Sequence, residues 1–338
     1  MPVRIDVHCH FLPESGRRAH ERGEDWHGTV FSRDENGILV SETGPRRMKF
    51  GSPLHFEPME QRVARMDARG VDIEMLSMLP PLFRYEVPAA DNAAAARDVN
   101  DELSALTKRF PGRFLGLGTL PLQDVDASVT ELERLMALPG MAGVAIGTNV
   151  NGVNLDADEL APFFTAAQDL DAFVFIHPMD QRGREALGSY YLRNAIGNPF
   201  ETTVAAASLM MSGRLAQVPR LHICLAHGGG YTAAALGRFA HTWQVRNEVE
   251  STPDRSPALL YRRFFYDSLT HDERTLRHLV DFVGVDRVVL GTDFPADMGM
   301  TNAALEIRAS DAFTDDEKAA ILGGNLATAL KLTPAPAA

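Results

Sequence analysis

Eight short apolar runs, separated by longer amphipathic stretches, constrain the fold of this chain more than any other feature. In the stretches at 56–70, 95–110 and 126–138, apolar residues recur every three or four positions, which indicates helices. Near-continuous apolar strands that alternate with helices are typical of a parallel sheet whose outer face is covered. Eight such units in 338 residues predict an α/β fold, a (β/α)₈ TIM barrel. The predicted strands are VRIDVHCH (3–10), VDIEMLSMLP (71–80), RFLGLGTLPL (113–122), MAGVAIGTNV (141–150), DAFVFIHP (171–178), RLHICLAHGG (220–229), RFFYDSL (263–269) and DRVVLGTDFP (286–295).

An open, doubly wound parallel sheet is the alternative fold for this alternation of strands and helices. Such a sheet commonly carries a glycine-rich phosphate-binding turn after a strand. The best match here, GLGTLP at 116–121, has proline where the third glycine should be, and no GxxxxGK segment occurs. We therefore expect a single barrel domain over residues 1–330, followed by a disordered tail over 331–338.

Two connections are longer than the usual links of a barrel. Residues 11–57 follow the first predicted strand and residues 179–203 follow the fifth, and both are polar and loop-like. Long irregular insertions in a compact domain are usually functional lids or interface loops. Both leave the carboxyl-terminal end of a strand, which is where barrel active sites lie, so both are expected to border the site.

Charge and cysteine content exclude several classes of partner. The formal net charge of −12 predicts no nucleic acid partner and no membrane partner, because nucleic acids and anionic lipids would be repelled. No run of about 18 apolar residues is present to cross a bilayer. The two cysteines, Cys9 and Cys224, are too few for a disulfide framework, and no leader is recognisable. We expect a cytoplasmic protein.

The candidate site residues stand at the carboxyl ends of the predicted strands. His8 and His10 point to the same side of the first strand, because side chains alternate along a strand. His177, His227 and Asp293 end the fifth, sixth and eighth strands, and each is the first strongly polar residue after an apolar run. In a barrel these ends meet at one rim. Histidines and a carboxylate converging there predict a metal site.

The HGGG segment at 227–230 has a second interpretation, the oxyanion motif of α/β-hydrolases. That fold also requires a GxSxG nucleophile elbow. No serine in this chain is flanked by glycines in that way, so this interpretation is excluded.

Taken together, these motifs resemble the amidohydrolase superfamily. The segments IDVHCHFLP, FLGLGTLPLQ, IHPMD, LAHGGG and LGTDFP are similar to those of its aminocarboxymuconate-semialdehyde decarboxylase branch, over roughly residues 3–330. The resemblance implies that one divalent metal is bound, zinc first and manganese as the alternative. It also implies that His227 is the catalytic base and that Asp293 acts both as a ligand and in catalysis. The implied metal ligands are His8, His10, His177 and Asp293. Asp267 and His241 are the two residues to test for a supporting role beside these ligands.

Lysine usage separates two groups within this superfamily. Its binuclear hydrolases bridge two metals with a carboxylated lysine at the end of the fourth strand. In this chain that position falls within VAIGTNV, and no lysine lies between Lys108 and Lys318. We therefore expect a mononuclear site, which favours the decarboxylases and hydratases of the superfamily.

The resemblance also implies residues that bind a small carboxylic-acid substrate. Arg246, in the segment GRFAHTWQVR, matches an arginine that reaches the neighbouring site of a homodimer. Arg47 is the candidate in the first insertion, although Arg46 and Lys49 compete for that role. Phe83 is an expected aromatic wall residue, and Arg193 is either a new anion contact or a surface residue.

Three functions remain open from the sequence. The leading one is a metal-dependent, non-oxidative decarboxylase of a small unsaturated or aromatic carboxylic acid. The alternative is a hydratase or hydrolase that uses water activated at the same single metal. The third is a catalytically inactive barrel with a binding or scaffolding role, which is disfavoured because all five expected site residues are present.

Overall fold

The computed structural model describes residues 3–44, 46–179, 182–249 and 255–332. Its largest sheet contains eight strands in sequential order, and neighbouring strands run parallel, as the sequence predicts. Residues 333–338 of the predicted tail lie outside the described ranges, whereas Leu332 packs against the edge of the core. The predicted limits of the single domain stay a prediction. The strands of the described residues are β1 (Ile5–Phe11), β2 (Thr29–Arg33), β3 (Leu39–Thr43), β4 (Arg46–Phe50), β5 (Ile73–Met78), β6 (Phe114–Gly118), β7 (Met141–Gly147), β8 (Asn149–Val150), β9 (Val153–Asn154), β10 (Phe173–His177), β11 (Ile223–Leu225), β12 (Phe264–Asp267) and β13 (Val288–Val289).

The sheet closes into a barrel through the segment that follows β13. The Val7 N–H donates to the Leu290 carbonyl at 2.9 Å, and the Asp293 N–H donates to the His8 carbonyl at 2.8 Å. The His10 N–H donates in turn to the Phe294 carbonyl at 2.8 Å. These bonds join the last strand to the first, so the predicted TIM barrel is confirmed.

Helices cover the outer face of the sheet, which explains why every residue of β1 and of β10 is buried. Helix α3 packs on β6, and α4 packs on β7. Asp124 begins α4 by accepting a hydrogen bond from the Ala127 N–H, as a helix N-cap does. The helices of the described residues are α1 (Glu14–Glu21), α2 (Met59–Arg69), α3 (Ala89–Arg109), α4 (Val125–Met136), α5 (Ala161–Asp169), α6 (Asn198–Met211), α7 (Arg214–Gln217), α8 (Thr232–Val245), α9 (Pro257–Leu260), α10 (Glu273–Val283), α11 (Ala303–Ala309), α12 (Asp315–Ala319) and α13 (Asn325–Ala329).

All eight predicted strands are present, but each is shorter than predicted. The last apolar run was expected over 286–295, whereas β13 covers only Val288–Val289. At the carboxyl ends of the sixth and eighth runs, His227 and Asp293 follow β11 and β13, whereas His10 and His177 stay paired within β1 and β10. Asp293, with a φ of 57°, therefore lies in a turn after β13.

The first insertion is not an irregular loop, contrary to expectation. It contains α1 and a three-stranded antiparallel sheet of β2, β3 and β4. The missed signal is the alternation in RRMKF, the sequence of β4, where the apolar Met48 and Phe50 alternate with the exposed Arg47 and Lys49. Asp34 completes the turn between β2 and β3 by accepting hydrogen bonds from the Asn36 and Ile38 N–H groups. The described part of the second insertion, residues 179 and 182–203, contains short helical turns and the start of α6, and no strand.

Within the described ranges, no helix is both long enough and apolar enough to cross a membrane.

Gly230 provides a test of how the loop after β11 packs. Its φ is 63°, and a Cβ added there would lie 2.1 Å from the Pro199 carbonyl oxygen at the start of α6. We predict that Gly230→Ala destabilises the fold by about 2–4 kcal/mol, because the Pro199 carbonyl is part of the backbone and cannot move aside as a side chain can. The control is Gly237→Ala in α8. A Cβ added there meets nothing within 4 Å, so this substitution should stabilise the fold by about 0.5–1 kcal/mol. Urea unfolding measures both values, and equal effects would contradict this packing.

Candidate metal centre and active site

Two strands and one rim turn bring together the four predicted metal ligands. His8 and His10 lie on β1, His177 is the last residue of β10, and Asp293 follows β13. Each offers one ligand atom, and these four atoms lie within 4.8 Å of one another. At most 6% of each residue is exposed, so the cluster is buried at the mouth of the barrel.

The alternation of β1 explains why both histidines face this cluster. His8 and His10 point inward, whereas the Cys9 thiol lies toward Thr292, with 3.9 Å between Sγ and Oγ1. The pairing register of β1 with β5 shifts between Asp6 and Cys9, where the strand bulges. Bulges often re-aim side chains beside functional sites.

Hydrogen bonds fix the orientation of each ligand imidazole through its Nδ1 atom. Nδ1 of His8 lies 2.6 Å from an Asp267 carboxylate oxygen, and Nδ1 of His10 lies 2.9 Å from the Ser77 hydroxyl. Nδ1 of His177 donates to the Pro178 carbonyl at 2.7 Å. Metal-ligating histidines are normally held in this way, which directs the free Nε2 atom to the metal.

The three Nε2 atoms are buried and make no hydrogen bond to any residue that the structure describes. Oδ1 of Asp293 lies 3.3 Å from Nε2 of His8 and 3.1 Å from Nε2 of His10. Ligands held about 2.0–2.1 Å from a tetrahedral ion are separated by about 3.3 Å, so these spacings fit a shared cation. Apart from these two contacts with Asp293, the three buried nitrogens have no partner among the described residues, which is costly unless a cation binds them.

The electrostatic field also fits a cation among these groups. Burial lowers the pKa of His10 and lowers that of His177 well below its usual value, which keeps their imidazoles neutral. Burial opposes charge on His8 as well, but the neighbouring Asp293 and Asp267 outweigh burial and raise its pKa to about 10. Burial alone would raise the pKa of Asp293, yet the adjacent histidines, His8 above all, hold it well below its usual range. The site is therefore anionic where a metal would bind.

His227 lies beside this cluster without belonging to it. Its Nε2 is 3.7 Å from Oδ2 of Asp293, and its ring centroid is 5.0 Å from that of His177. Its Nδ1 is buried and has no hydrogen-bond partner among the described residues. The side chain is 13% exposed, which leaves it more accessible than His8 or His10. His227 can therefore exchange a proton with a molecule bound over the cluster.

Asp267 connects His227 to the cluster. One carboxylate oxygen contacts Nδ1 of His8 and accepts the His227 N–H at 3.0 Å, and the other accepts the Gly228 N–H at 2.7 Å. The sequence indicated Asp267 and His241 as residues to test for a supporting role. The structure supports Asp267, whereas His241 is exposed on α8.

The candidate anion-binding residues of the first insertion have partners of their own. Nε of Arg47 lies 3.0 Å from Glu42, and Nζ of Lys49 lies 2.7 Å from Asp34. Both basic side chains are 53% exposed, whereas that of Arg46 is 17% exposed. A substrate carboxylate would have to compete with these carboxylates, and the role of Arg47 stays a prediction.

The other candidate substrate residues do not join the metal cluster. Phe83 is wholly buried and stacks on Tyr85 with ring centroids 6.1 Å apart. Arg193 is exposed in a π-helical turn of the second insertion. Arg246, at the end of α8, is 60% exposed and pairs with Glu248 through Nε at 3.1 Å. Their contacts with substrate stay predictions.

Sequence analysis missed two residues near the cluster. Ser77, which holds His10, lies in an apolar strand and carries no distinguishing signal. His55 lies on a short 3₁₀ turn after β4, with its ring edge-on to Phe50, and its Nδ1 is buried. Burial lowers the pKa of His55 to about 4, and His10 lowers it further by a smaller amount. His55 is therefore a neutral imidazole that the first insertion places close to the site.

Asp267→Asn tests whether the carboxylate sets the metal affinity through His8. We predict that affinity for zinc or manganese falls about 10- to 100-fold, as when the partner of a ligating histidine is removed. The matched control is Asp272→Asn, because Asp272 caps α10 at the Thr275 N–H and asparagine caps a helix equally well. Chelator competition measures the affinities. Equal affinities in the two variants would contradict the role of Asp267.

Comparisons with known proteins agree with this geometry. The sequence profile of the amidohydrolase family matches residues 5–332. The 2-amino-3-carboxymuconate-6-semialdehyde decarboxylase of Dictyostelium discoideum is 36% identical over 336 residues, which cover 98% of this chain and 92% of that protein.

Two solved structures share the fold. The 5-carboxyvanillate decarboxylase of Sphingomonas paucimobilis superposes with a TM-score of 0.81 at 24% identity, over 98% of this chain and all of that one. The dihydroxybenzoic acid decarboxylase of Polaromonas sp. JS666, solved with bound manganese and the inhibitor 2-nitroresorcinol, has a TM-score of 0.77 at 23% identity, over 99% and 98% of the two chains. With the family match and the Dictyostelium relative, the chain belongs to the amidohydrolase family, in the branch that contains the aminocarboxymuconate-semialdehyde decarboxylases.

Proposed function

We propose that this protein is a metal-dependent, non-oxidative decarboxylase of a small unsaturated or aromatic carboxylic acid. The observation that carries the proposal is the convergence of three buried Nε2 atoms and one carboxylate beside His227, whose side chain is 13% exposed. The relatives described above support the reaction class, because all three are named as decarboxylases.

The proposed metal ligands are His8, His10, His177 and Asp293. Three nitrogens and a carboxylate suit zinc, which is the first choice, and manganese is the alternative because the Polaromonas neighbour contains it. A divalent metal held there supplies a Lewis acid that polarises an oxygen of the substrate.

His227 is proposed to manage the proton that decarboxylation requires. When the bond from carbon to the carboxylate breaks, its electron pair stays on the carbon and carbon dioxide leaves. A proton must then be added to that carbon, and the proposal assigns its delivery to His227, since its Nε2 lies 3.7 Å from Oδ2 of Asp293. Asp267 fixes the His227 backbone by accepting its N–H, so the imidazole keeps its position relative to Asp293.

Substrate binding is proposed to involve both insertions and a second subunit. Arg246 would form an ion pair with a carboxylate of the substrate, and Arg47 and Arg193 are further candidates for this contact. Phe83 would form part of the pocket wall. A homodimer is supported by exposed apolar side chains at both ends of α8, since Tyr231 is 43% and Val245 is 56% exposed.

We also propose a cytoplasmic location. Both cysteines, Cys9 and Cys224, are free thiols, and both are buried in the barrel. Free thiols without a disulfide framework are typical of a reducing compartment.

His227→Ala tests the proton role separately from metal binding. We predict that the variant still binds one equivalent of metal and that carbon dioxide release falls at least about 100-fold, because proton transfer is lost. The control is His241→Ala, an exposed histidine on α8, which should keep wild-type activity. Release of carbon dioxide from hydroxybenzoates and muconate semialdehydes is the assay. An active His227→Ala protein would refute the assignment, and turnover without carbon dioxide would favour a hydratase or hydrolase.

Subunit complementation tests the shared site. If Arg246 reaches the partner, mixing inactive His227→Ala and Arg246→Ala subunits restores about a quarter of wild-type activity, because half of the dimers are mixed and each has one intact site. If Arg246 acts within its own chain, mixing restores nothing. Exchange of subunits is verified by native mass spectrometry before activity is measured, and no recovery in verified mixed dimers would contradict the shared site.

A further inference from the structure

A buried ionic cluster, composed of Arg62, Arg69 and Glu74, lies next to the metal ligands. Arg62 and Arg69 come from α2 and Glu74 from β5, and none is more than 4% exposed. Nε of Arg62 donates to one Glu74 oxygen at 2.6 Å, and Nη2 of Arg69 donates to the other. The two arginines lie seven positions apart with Met66 between them, on the buried side of α2.

This cluster does not have the properties of a second metal site. Asp6, Cys9 and Glu74 bring ligand atoms within 4.8 Å of one another, but both Glu74 oxygens already bind guanidinium groups. The charges of Arg62 and Arg69 balance those of Glu74 and Asp6, so no further cation is required.

Stability alone does not explain the cluster. Nη2 of Arg62, and Nε and Nη1 of Arg69, are buried without hydrogen-bond partners in the part of the chain that the structure describes. A buried ion pair gains little over apolar residues of similar size, because desolvation cancels most of the attraction. The role of the cluster must therefore be sought in the contacts that it makes with other residues.

Those contacts reach the backbone of the metal ligands. Nη1 of Arg62 donates to the His10 carbonyl oxygen at 2.8 Å. The Arg62 and Arg69 guanidinium groups also lie over the Phe294 ring, 4.9 Å and 4.0 Å from its centroid. Phe294 follows Asp293 directly, and its carbonyl accepts the His10 N–H. Both backbone polar groups of His10 are therefore hydrogen-bonded, its carbonyl to Arg62 and its N–H to the Phe294 carbonyl.

We propose that Arg62 is a positioning residue, which fixes the His10 backbone and thereby the direction of its Nε2 toward the metal. Arg69 shares the helix, the Glu74 carboxylate and the Phe294 ring but has no hydrogen bond to a ligand residue. This inference rests on the proposed metal site and does not depend on which reaction the site performs.

The close likeness of the two arginines provides the test. Arg62→Met and Arg69→Met each remove one guanidinium and leave one arginine on Glu74, so their stabilities should fall by similar amounts. Metal affinity, measured by titrating zinc or manganese into metal-stripped full-length protein, should fall at least about tenfold further in Arg62→Met than in Arg69→Met. Circular dichroism at the titration temperature verifies that both variants are folded.

If the methionine variants do not fold, the charge-conserving pair Arg62→Lys and Arg69→Lys gives the same comparison. Lysine cannot reproduce the fork that holds Glu74 and the His10 carbonyl together, so Arg62→Lys should bind metal more weakly than Arg69→Lys. Equal affinities within the folded pair would overturn the role of Arg62 and leave the decarboxylase proposal standing. A wild-type protein that binds no metal would overturn both.

Discussion

The hydrogen bond from the Asp293 N–H to the His8 carbonyl is the interaction on which the site depends. It belongs to the set of backbone bonds that close the parallel sheet, and it places the carboxylate of the last strand against the histidines of the first. Residues 285 positions apart in sequence therefore meet at bonding distance. The same backbone hydrogen bonds close the barrel and bring the metal ligands together. A change that disrupts the closure therefore also disrupts the metal centre.

A second consequence of this closure is that charge is concentrated where water is excluded. Asp293 and Asp267 are both buried, and they stand on either side of His8. Two carboxylates beside the neutral imidazoles of His10 and His177 make a poor environment for anything except a cation. The substrate in turn is proposed to be anionic, so a metal is needed both to balance the protein and to attract the acid. His227 stands at the edge of this region, where its side chain is 13% exposed.

Much of this arrangement could be predicted from the sequence because it follows from local rules. Alternation along a strand directs His8 and His10 to one side, and polar residues that end apolar runs identify His177, His227 and Asp293 as rim residues. The family resemblance supplied their proposed roles. The eight strands followed from apolar runs, although the ends of the runs belonged to the rim.

The contacts that support the site could not be predicted in this way. Asp267 was a candidate for a supporting role, but it lies 259 positions from His8, and no local pattern reports a contact over that distance. Arg62 and Arg69 lie on the buried side of α2, where helix periodicity would place apolar residues and assign arginines to solvent. The small sheet of the first insertion was missed because its polar composition was weighted above its alternation. Supporting contacts depend on long-range packing, so they emerge only from the fold.

Anomalous diffraction at the metal absorption edge, from crystals of protein loaded with zinc or manganese, tests the central claim most directly. The account predicts one strong peak per chain, about 2.0–2.2 Å from Nε2 of His8, His10 and His177 and from an oxygen of Asp293. A peak at another place, two peaks in the barrel mouth, or no peak after loading would contradict it.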